Sequence, residues 1–164
     1  MNYFWLTLKH KWFVIVTGRR LRVSWRRLLL HDWTKLTPSE LPHYQRQFFG
    51  KGCKRPDKFV ACWTHHQNHN DHHWEYWIPR TGHSHCSRPY LDNEPISMPD
   101  QAVREMVADW LAAGRAYNGR WPDFKNWVWL KDNLPRMRFN GVTRTRLRTV
   151  LYELGVEGIT LRHP

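Results

Sequence analysis

The spacing of apolar side chains along this chain is helical almost throughout. In residues 3–17, one apolar side repeats every three or four positions, and His10 lies within it. A second apolar side consists of Trp5, Leu8, Trp12 and Ile15. The pattern predicts a first helix over residues 3–17 that the rest of the protein covers on two faces. Gly18 and the arginines after it interrupt the run, so a second helix is expected over residues 21–30.

Residues that start or break helices divide the middle of the chain. Thr37, Pro38 and Glu40 have the spacing of a helix start, with a threonine cap, proline at the first position and glutamate three residues after the cap. Asp57 is expected to cap a helix that runs into a group of histidines. Residues 79–97 contain three prolines and a glycine, which predict an inserted loop rather than a regular helix.

Three more helices are expected towards the carboxyl end. The first covers residues 99–117 and ends at Gly119, and a short aromatic helix follows Pro122. Thr143 is expected to cap a last helix, which Gly155 closes.

The length of 164 residues is that of one domain. We therefore predict an all-α protein, a single-domain bundle of about six helices over residues 1–164. Residues 79–97 are its inserted loop, and residues 120–164 are a C-terminal helical extension. Hydrophobic residues make up 41% of the chain and 11 residues are tryptophan, which excludes disorder as the default state.

The charge of the chain favours an anionic partner. Lysine and arginine total 26 against 14 aspartate and glutamate, which gives a net charge of +12. Most of the basic residues are arginine, whose planar guanidinium binds phosphate with two hydrogen bonds. This composition favours a nucleotide, a nucleic acid or another phosphoester as partner.

Cysteine usage and hydropathy indicate the compartment. The three cysteines (Cys53, Cys62 and Cys86) cannot form a fully paired disulfide framework, which favours a reducing compartment. The chain has no apolar run near the ~20 residues that a bilayer span needs. We predict a cytoplasmic protein with no membrane partner, and its oligomeric state stays open.

Two places early in the chain carry candidate metal ligands. His10 interrupts an apolar helical side, a position that a hydrogen-bonded core histidine also occupies. His31 and Asp32 are adjacent at the end of the second predicted helix, where an imidazole and a carboxylate can bind one cation together. Lys35 follows three residues later and can reach a phosphate.

The densest cluster of candidate ligands contains five histidines within nine residues. Buried imidazoles need hydrogen bonds or a cation, and the interleaved tryptophans favour burial, so this cluster predicts a metal site. On a helix, His65, His69 and His72 share one side. His66 and His73 form an alternative side, and the spacing does not decide between the two.

Asp109 is the last candidate ligand. It lies on an alanine-rich side of the predicted helix over residues 99–117, so its carboxylate should point inward. A buried carboxylate needs a cation, which Arg104, Arg115 or a metal can supply. Glu105, one turn earlier, suits a supporting role behind the ligands.

The order of these residues resembles the HD-domain superfamily of metal-dependent phosphohydrolases: His10, then His31 and Asp32, then further histidines, then Asp109. The resemblance covers residues 3–117. Three stretches, residues 31–35, 72–77 and 105–110, look closer to a small subfamily from bacteria and their phages that has no assigned activity.

The resemblance implies a helical bundle, a site and a reaction. His10, His31, Asp32 and Asp109 would hold one divalent cation, and the central histidines a second. One or two ions (Mn, Fe, Co, Ni or Mg, with Zn possible) would activate water for attack on a nucleotide or other phosphomonoester. Lys35, Arg104 and Arg115 would hold the phosphate. Glu75 or Glu105 would orient a ligand or move a proton.

Two other functions stay open at this stage. The arginine runs at residues 19–22 and 144–148 suit a nucleic-acid-binding protein with a structural metal. Some HD-type proteins are dinuclear-iron oxygenases. A small structural zinc site is a further option, with His83, His85 and Cys86 as ligands and Cys53 as a fourth.

Overall fold

Seven α-helices and no strand are found in the part of the chain that the computed structural model describes, residues 2–50, 56–79 and 94–159. In chain order the helices are α1 (Tyr3–Arg20), α2 (Trp25–Leu30), α3 (Leu41–Phe49), α4 (Pro56–His69), α5 (Asp100–Asn118), α6 (Val128–Asn133) and α7 (Gly141–Glu153). Short 3-10 turns lie at Trp33–Leu36, Trp74–Trp77 and Leu134–Arg136. The predicted all-α helical bundle is confirmed, with one helix more than expected.

Helices α1 and α5 pack along each other at the centre of the bundle. Ala108 and Ala112 of α5 are fully buried, and their small side chains let α1 approach closely. The Thr17 hydroxyl of α1 donates to the Ala108 carbonyl across this contact, at 3.2 Å. Helix α7 also packs on α5, and its Leu147 and Val150 belong to the same apolar core.

The boundary between α1 and α2 differs from the prediction. Helix α1 continues through Gly18 to Arg20, and α2 begins only at Trp25. Gly18 is buried against Leu28, whose side chain would overlap an added Cβ, so this glycine lets two helices approach and does not end one. The chain turns at Arg22, which has a left-handed backbone with φ of 61°.

The prediction that α1 is covered on two faces is wrong. One face, with Leu6, His10 and Val14, is buried. On the other face, Trp5 and Trp12 are 61% and 62% exposed. The apolar period therefore located the helix correctly but does not show which apolar side meets the core.

Two predicted helix caps are displaced. Helix α3 starts at Leu41 and not after Thr37, because residues 37–40 form a turn in which the Thr37 carbonyl accepts the backbone N–H of Glu40 and Leu41. The last helix is capped by Asn140, whose side chain accepts the N–H of Thr143 at 2.9 Å. Thr143 itself is buried inside α7.

The other boundaries follow the prediction more closely. Helix α5 ends at the expected place, where Gly119 adopts a left-handed φ of 73°. Asp57 lies one residue inside α4 and not before it. The short aromatic helix begins at Val128, six residues beyond Pro122, because the intervening chain is irregular.

Residues 79 and 94–97 are not helical, as expected for these parts of the predicted loop, and α5 begins one residue later than predicted. The proposed zinc ligands Cys53, His83, His85 and Cys86 lie outside the described residues. Among the helices that are described, none combines the length and apolarity needed to cross a bilayer.

Candidate metal centre

Four parts of the bundle bring histidines and carboxylates together near its centre. His10 comes from the buried face of α1, and His31 and Asp32 follow the last residue of α2. Helix α4 contributes His66 close to its end, and the chain after it adds His72 and His73. The fourth part is α5, with Glu105 and Asp109. Residues far apart in sequence thus meet at one place.

A first group contains His10, His31, Asp32 and Asp109. The Nε2 atom of His10 lies 2.9 Å from Asp109 Oδ1 and 3.7 Å from Asp32 Oδ2. The Nε2 atom of His31 lies 3.5 Å from Asp32 Oδ2 and 3.6 Å from Asp109 Oδ1. Ligand atoms about 2.1 Å from one ion lie ~3.0 Å apart at an octahedral edge and ~3.4 Å apart at a tetrahedral edge. The observed separations are of this size.

A second group contains Asp32, His66, His72 and His73. Asp32 Oδ1 lies 3.1 Å from His66 Nε2 and 3.4 Å from His72 Nε2. The other oxygen of the same carboxylate, Oδ2, faces the first group. Asp32 therefore stands between the two groups and presents one oxygen to each, as a carboxylate that bridges two cations would.

The ring nitrogens that face the interior of this centre are not hydrogen-bonded. The Nε2 atoms of His10, His31, His66, His72 and His73 are all buried without a hydrogen-bond partner, and so is Asp32 Oδ1. Carboxylate oxygens lie as near as 2.9 Å to some of these nitrogens, but not in the orientation that a hydrogen bond requires. Buried polar groups in proteins are almost always hydrogen-bonded, and each one left without a partner costs about 1–3 kcal/mol. Bound cations would satisfy all of these atoms together, so the residues present fit a metal site.

Other side chains hold the imidazoles from behind. The Oε1 atom of Glu105 lies 2.9 Å from His31 Nδ1 and 3.5 Å from His72 Nδ1. Glu40, buried between α3 and α4, lies 3.1 Å from His66 Nδ1. Carboxylates behind metal-binding histidines orient the ring and raise its basicity. His31, His72 and Glu105 also form a close group of their own. Glu105 contacts the Nδ1 atom of each histidine, which leaves the Nε2 atoms for a cation. We therefore assign Glu105 a positioning role.

The electrostatics of the centre attract positive charge. Burial opposes charge on His31, but the carboxylates of Asp32, Asp109 and Glu105 outweigh it and raise its pKa to about 10. A cation at Nε2 would displace the proton held there. Burial lowers the pKa of His10 and, more strongly, that of His73, so both rings are neutral and have a lone pair to offer.

Lys35 is buried next to this centre. Its Nζ is 2.5 Å from Asp32 Oδ2 and 5.8 Å from the centre of the Tyr44 ring. Burial disfavours the ammonium, but Asp32 outweighs this and raises the pKa of Lys35 well above its usual range. Lys35 is therefore a fixed positive charge beside the carboxylate that both groups share.

A cavity of about 400 Å³ opens beside the metal centre. Its lining includes two residues of the centre, His73 and Asp109, together with Lys35 and Glu75. The walls are largely aromatic and include Trp63, Trp74, Trp110, Tyr117 and Trp129. This volume is within the range of small-molecule sites, which measure roughly 300–1,000 Å³.

Glu75 lies at this cavity with one carboxylate oxygen, Oε2, buried and without a hydrogen-bond partner. Burial raises the pKa of Glu75 above its usual value. A carboxyl group with a raised pKa holds its proton to higher pH and can donate it. This is the arrangement that the predicted proton-transfer role of Glu75 requires.

Two of the predicted metal ligands and two of the predicted phosphate-binding residues lie outside both ligand groups and the cavity lining. His65 and His69 lie on the outer side of α4, where their rings stack at 4.0 Å; His65 also contacts Glu40 at 2.8 Å. Arg104 pairs with Asp100 and Glu153, and so joins α5 to α7. Arg115 packs over Phe13 and Trp121 and donates to the Gly119 carbonyl. Neither arginine lines the cavity, and Asp109 contacts histidines instead of arginine.

Sequence reasoning missed three residues that matter for the site. Arg136, in the turn after α6, lines the cavity and is a basic residue. Glu40 supports His66, whereas the sequence placed it in a helix-capping role. Arg27 donates to Glu105 at 2.6 Å and also binds Asp71. In the sequence, these three residues differ from their apolar neighbours only by their charge. Many surface residues have the same property, so charge alone does not assign a residue to the site.

The sequence was compared with known protein families, curated proteins and solved structures. A search of curated proteins and a search of solved structures each gave no match. The resemblance to the HD-domain superfamily stays a prediction. The sequence model described as "Family of unknown function (DUF5662)" matches residues 1–153, which is the chain from its start to the last residue of α7. Because this match includes every residue of the two ligand groups and all seven described helices, the chain belongs to DUF5662.

Proposed function

We propose that the protein is a divalent-metal-dependent phosphohydrolase that acts on a nucleotide or a similar phosphomonoester. One observation carries the proposal: the two oxygens of Asp32 face two groups of buried imidazoles whose Nε2 atoms have no hydrogen-bond partner. The cavity beside them contains basic and acidic side chains suited to a phosphate ester.

The residues divide into two ligand sets that share Asp32. His10, His31 and Asp109 would complete the first set, and His66, His72 and His73 the second. A divalent ion held there supplies Lewis acidity, which lowers the pKa of water and offsets negative charge on phosphoryl oxygens. Nitrogen and oxygen ligands without thiolate favour Mn, Fe, Co, Ni or Mg, and Zn also accepts them.

Other side chains at the cavity have roles in binding and proton transfer. Lys35 and Arg136 supply positive charge for the phosphate, and Arg136 replaces Arg104 and Arg115 in this role. Glu75, with its raised pKa, donates a proton to the oxygen of the leaving group. Glu105 positions His31 and His72 and is not itself part of the cavity lining.

The aromatic walls favour a substrate with a flat ring system. Trp110 and Trp129 lie 5.7 Å apart between ring centres at the cavity, and Trp63 and Trp74 add further faces. Stacking of a base on an aromatic side chain contributes about 1–3 kcal/mol. A nucleoside monophosphate combines such a ring with one phosphate.

The test combines metal analysis with hydrolysis. Purified protein should contain a divalent metal and should release phosphate from nucleotides or an aryl phosphate with Mn²⁺ or Co²⁺. Asp32→Ala and His31→Ala should abolish turnover. His69→Ala is the matched control, since His69 is an exposed histidine outside both ligand groups. Unchanged turnover in both Asp32→Ala and His31→Ala rejects the proposal.

A dinuclear-iron oxygenase is the second candidate, because one carboxylate between two histidine groups also suits a pair of iron ions. Iron as the native metal, together with oxygen uptake and no phosphate release, would favour it. A nucleic-acid-binding protein with a structural metal predicts instead salt-dependent binding that survives His31→Ala.

A reducing, cytoplasmic location is part of the same proposal. Cys62 is buried with a free thiol, and burial raises its pKa to about 11, which makes it unreactive. Thiol labelling of the denatured protein without prior reduction should count all three cysteines. A lower count would indicate a disulfide and contradict this location.

A further inference from the structure

The outer sides of α1 and α2 expose large apolar side chains. Five of them have more than half of their surface exposed: Trp5, Trp12, Trp25, Leu29 and Leu30. Trp5 and Trp12 are seven residues apart on α1, so they lie on the same side of that helix. Scattered apolar residues are ordinary on protein surfaces, but a group of tryptophans and leucines on two adjacent helices marks a binding surface.

Positive charge surrounds these side chains. Residues 1–31 contain seven lysines and arginines and no aspartate or glutamate. Arg19, Arg20, Arg22 and Arg26 are exposed. We call the five apolar residues together with these four arginines the outer surface.

Contacts between the two helices hold the outer surface together. The Arg19 guanidinium of α1 lies over the Trp25 ring of α2, 4.6 Å from its centre. Lys11 of α1 donates to the carbonyls of Leu29 and His31 at the end of α2, at 2.7 and 2.8 Å. These contacts fix the position of α2 relative to α1, so the exposed residues of the two helices lie side by side.

The charge distribution decides between possible partners. A second copy would bring two positive surfaces face to face, since residues 1–31 contain no acidic group. Glu153 of α7 lies near one of the four arginines, Arg22, and offsets only that part of the charge. Single-stranded nucleic acid would stack on tryptophan, but Leu29 and Leu30 have no ring face to offer it. A lipid bilayer with anionic headgroups suits all three kinds of side chain on the outer surface. Tryptophan favours the headgroup level, leucine favours the acyl chains, and arginine binds the lipid phosphates.

We propose that the outer surface binds the surface of an anionic lipid bilayer, with Trp5, Trp12 and Trp25 at the level of the headgroups. Such binding needs no membrane-spanning helix, and it departs from the sequence-based expectation of no membrane partner, which rested on the lack of an apolar span. The proposal is independent of the metal centre, because Trp12 is exposed on one side of α1 while His10 is buried on the other. Binding would bring the protein to the membrane and leave the candidate metal ligands untouched.

Sedimentation with sucrose-loaded vesicles tests the proposal. The full chain should bind vesicles of phosphatidylcholine that contain one quarter phosphatidylglycerol, and should bind pure phosphatidylcholine weakly. Added salt should weaken the binding, since it screens the arginines. The double variant Trp5→Ser/Trp12→Ser should bind vesicles at least about tenfold more weakly, because it removes most of the inserted apolar area.

Two further variants make the result specific. Tyr152→Ser is the matched control, since Tyr152 is 84% exposed but lies on α7 away from the outer surface. It should bind like the unmodified chain. Arg20→Ser/Arg26→Ser keeps the tryptophans and should lose the preference for phosphatidylglycerol, so a folding defect in the tryptophan variant would not leave the question open. Circular dichroism and metal content should be unchanged in all three variants.

Several results would overturn the proposal. These are absence of vesicle binding, equal binding to both kinds of vesicle, or full binding by the double tryptophan variant. A dimer that dissociates in that variant would assign the outer surface to a second copy. Binding of a single-stranded oligonucleotide that needs the tryptophans, without vesicle binding, would assign it to nucleic acid. None of these results changes the metal content or hydrolysis expected of the protein.

Discussion

Glu105 gives a sharp test of the metal centre, because its carboxylate contacts two of the histidines from behind. Oε1 lies 2.9 Å from His31 Nδ1, in the first ligand group, and 3.5 Å from His72 Nδ1, in the second. Oε2 accepts from Arg27 Nε at 2.6 Å. Glu105→Gln keeps the size of the side chain and removes its negative charge. Both ligand groups should therefore lose affinity for metal.

The structure sets the size of the effect. Loss of a carboxylate behind a metal-binding histidine typically lowers metal affinity by about 10–100-fold, which corresponds to ~1.4–2.7 kcal/mol. The effect on folding should be smaller, because Arg27 keeps its ion pair with Asp71 and is not left alone. We expect a loss of about 1–2 kcal/mol in the free energy of unfolding. This corresponds to a fall of ~2–8 °C in Tm for a chain of this size.

Metal affinity is best measured by competition with a chromophoric chelator, with Zn²⁺ and Mn²⁺ as probes. Glu153→Gln is the matched control. Its carboxylate also binds an arginine, Arg104, but on the surface between α5 and α7. This control should bind metal like the unmodified protein. If folded Glu105→Gln bound both metals as tightly as the control, the positioning role of Glu105 would be refuted. A lower Tm alone would then show that Glu105 only stabilises the fold.

Three further changes have outcomes that follow from the structure. Metal at about 100 times its dissociation constant should stabilise the fold by ~2.7 kcal/mol, and Asp32→Ala should remove this gain in thermal unfolding. Gly18→Ala should cost about 1–3 kcal/mol in urea unfolding, because the new methyl group overlaps a leucine of α2. Arg136→Ala should raise KM for a phosphomonoester about tenfold and leave kcat within ~2-fold, since Arg136 lines the cavity but is not a metal ligand.

Each of these expectations has its own contrary result. A Tm that does not respond to metal in the unmodified protein would contradict the metal centre. Gly141→Ala, where no atom lies within 4 Å of the new Cβ, should change stability by less than about 0.5 kcal/mol. If Gly18→Ala changed the free energy of unfolding as little as Gly141→Ala does, the close packing of α1 on α2 would be contradicted. Arg138→Ala, exposed and outside the cavity lining, should leave KM unchanged, and an equal rise there would indicate a general charge effect.

The all-α fold could be predicted because the apolar period is long and regular in α1 and α5. The same period placed His10 on the buried face of α1 and Asp109 on the inner side of α5, where both lie in the structure. It did not show that Trp5 and Trp12 remain exposed. Helical periodicity identifies apolar sides, but the number of neighbouring helices decides how many of those sides are covered.

The central histidines show a second limit of sequence reasoning. A continuous helix would align His65, His69 and His72, but α4 ends at His69 and the helical phase is lost there. The turn that follows brings His72 and His73 to the same centre as His66. The residue types therefore indicated that imidazoles gather at one place, and metal binding there stays a prediction. The assignment of individual candidate ligands needed the point at which the helix ends.

The arginines near Asp109 illustrate a third limit, which is geometric. Arg104 precedes Asp109 by five positions on α5, and five positions turn the helix through about 500°, or ~140° away from the same side. Arg104 accordingly points to α7 and not to the cavity. Arg136 comes from a separate turn after α6, and its place in the cavity depends on how that turn packs on the bundle. Sequence separation alone carries no information about such a contact.

His31 and Asp32 explain why adjacent residues can serve one centre. Neighbouring side chains on a helix point about 100° apart, so they do not converge on one ion. Here α2 ends at Leu30, and Asp32 adopts a left-handed backbone with φ of 52°. Aspartate tolerates this conformation better than most residues. The backbone change brings His31 Nε2 to 3.5 Å from Asp32 Oδ2 and still leaves Oδ1 for the second group of histidines. The end of α2 is thus part of the candidate site. A substitution that prolonged this helix through residue 32 would separate the two candidate ligands while leaving both residues present.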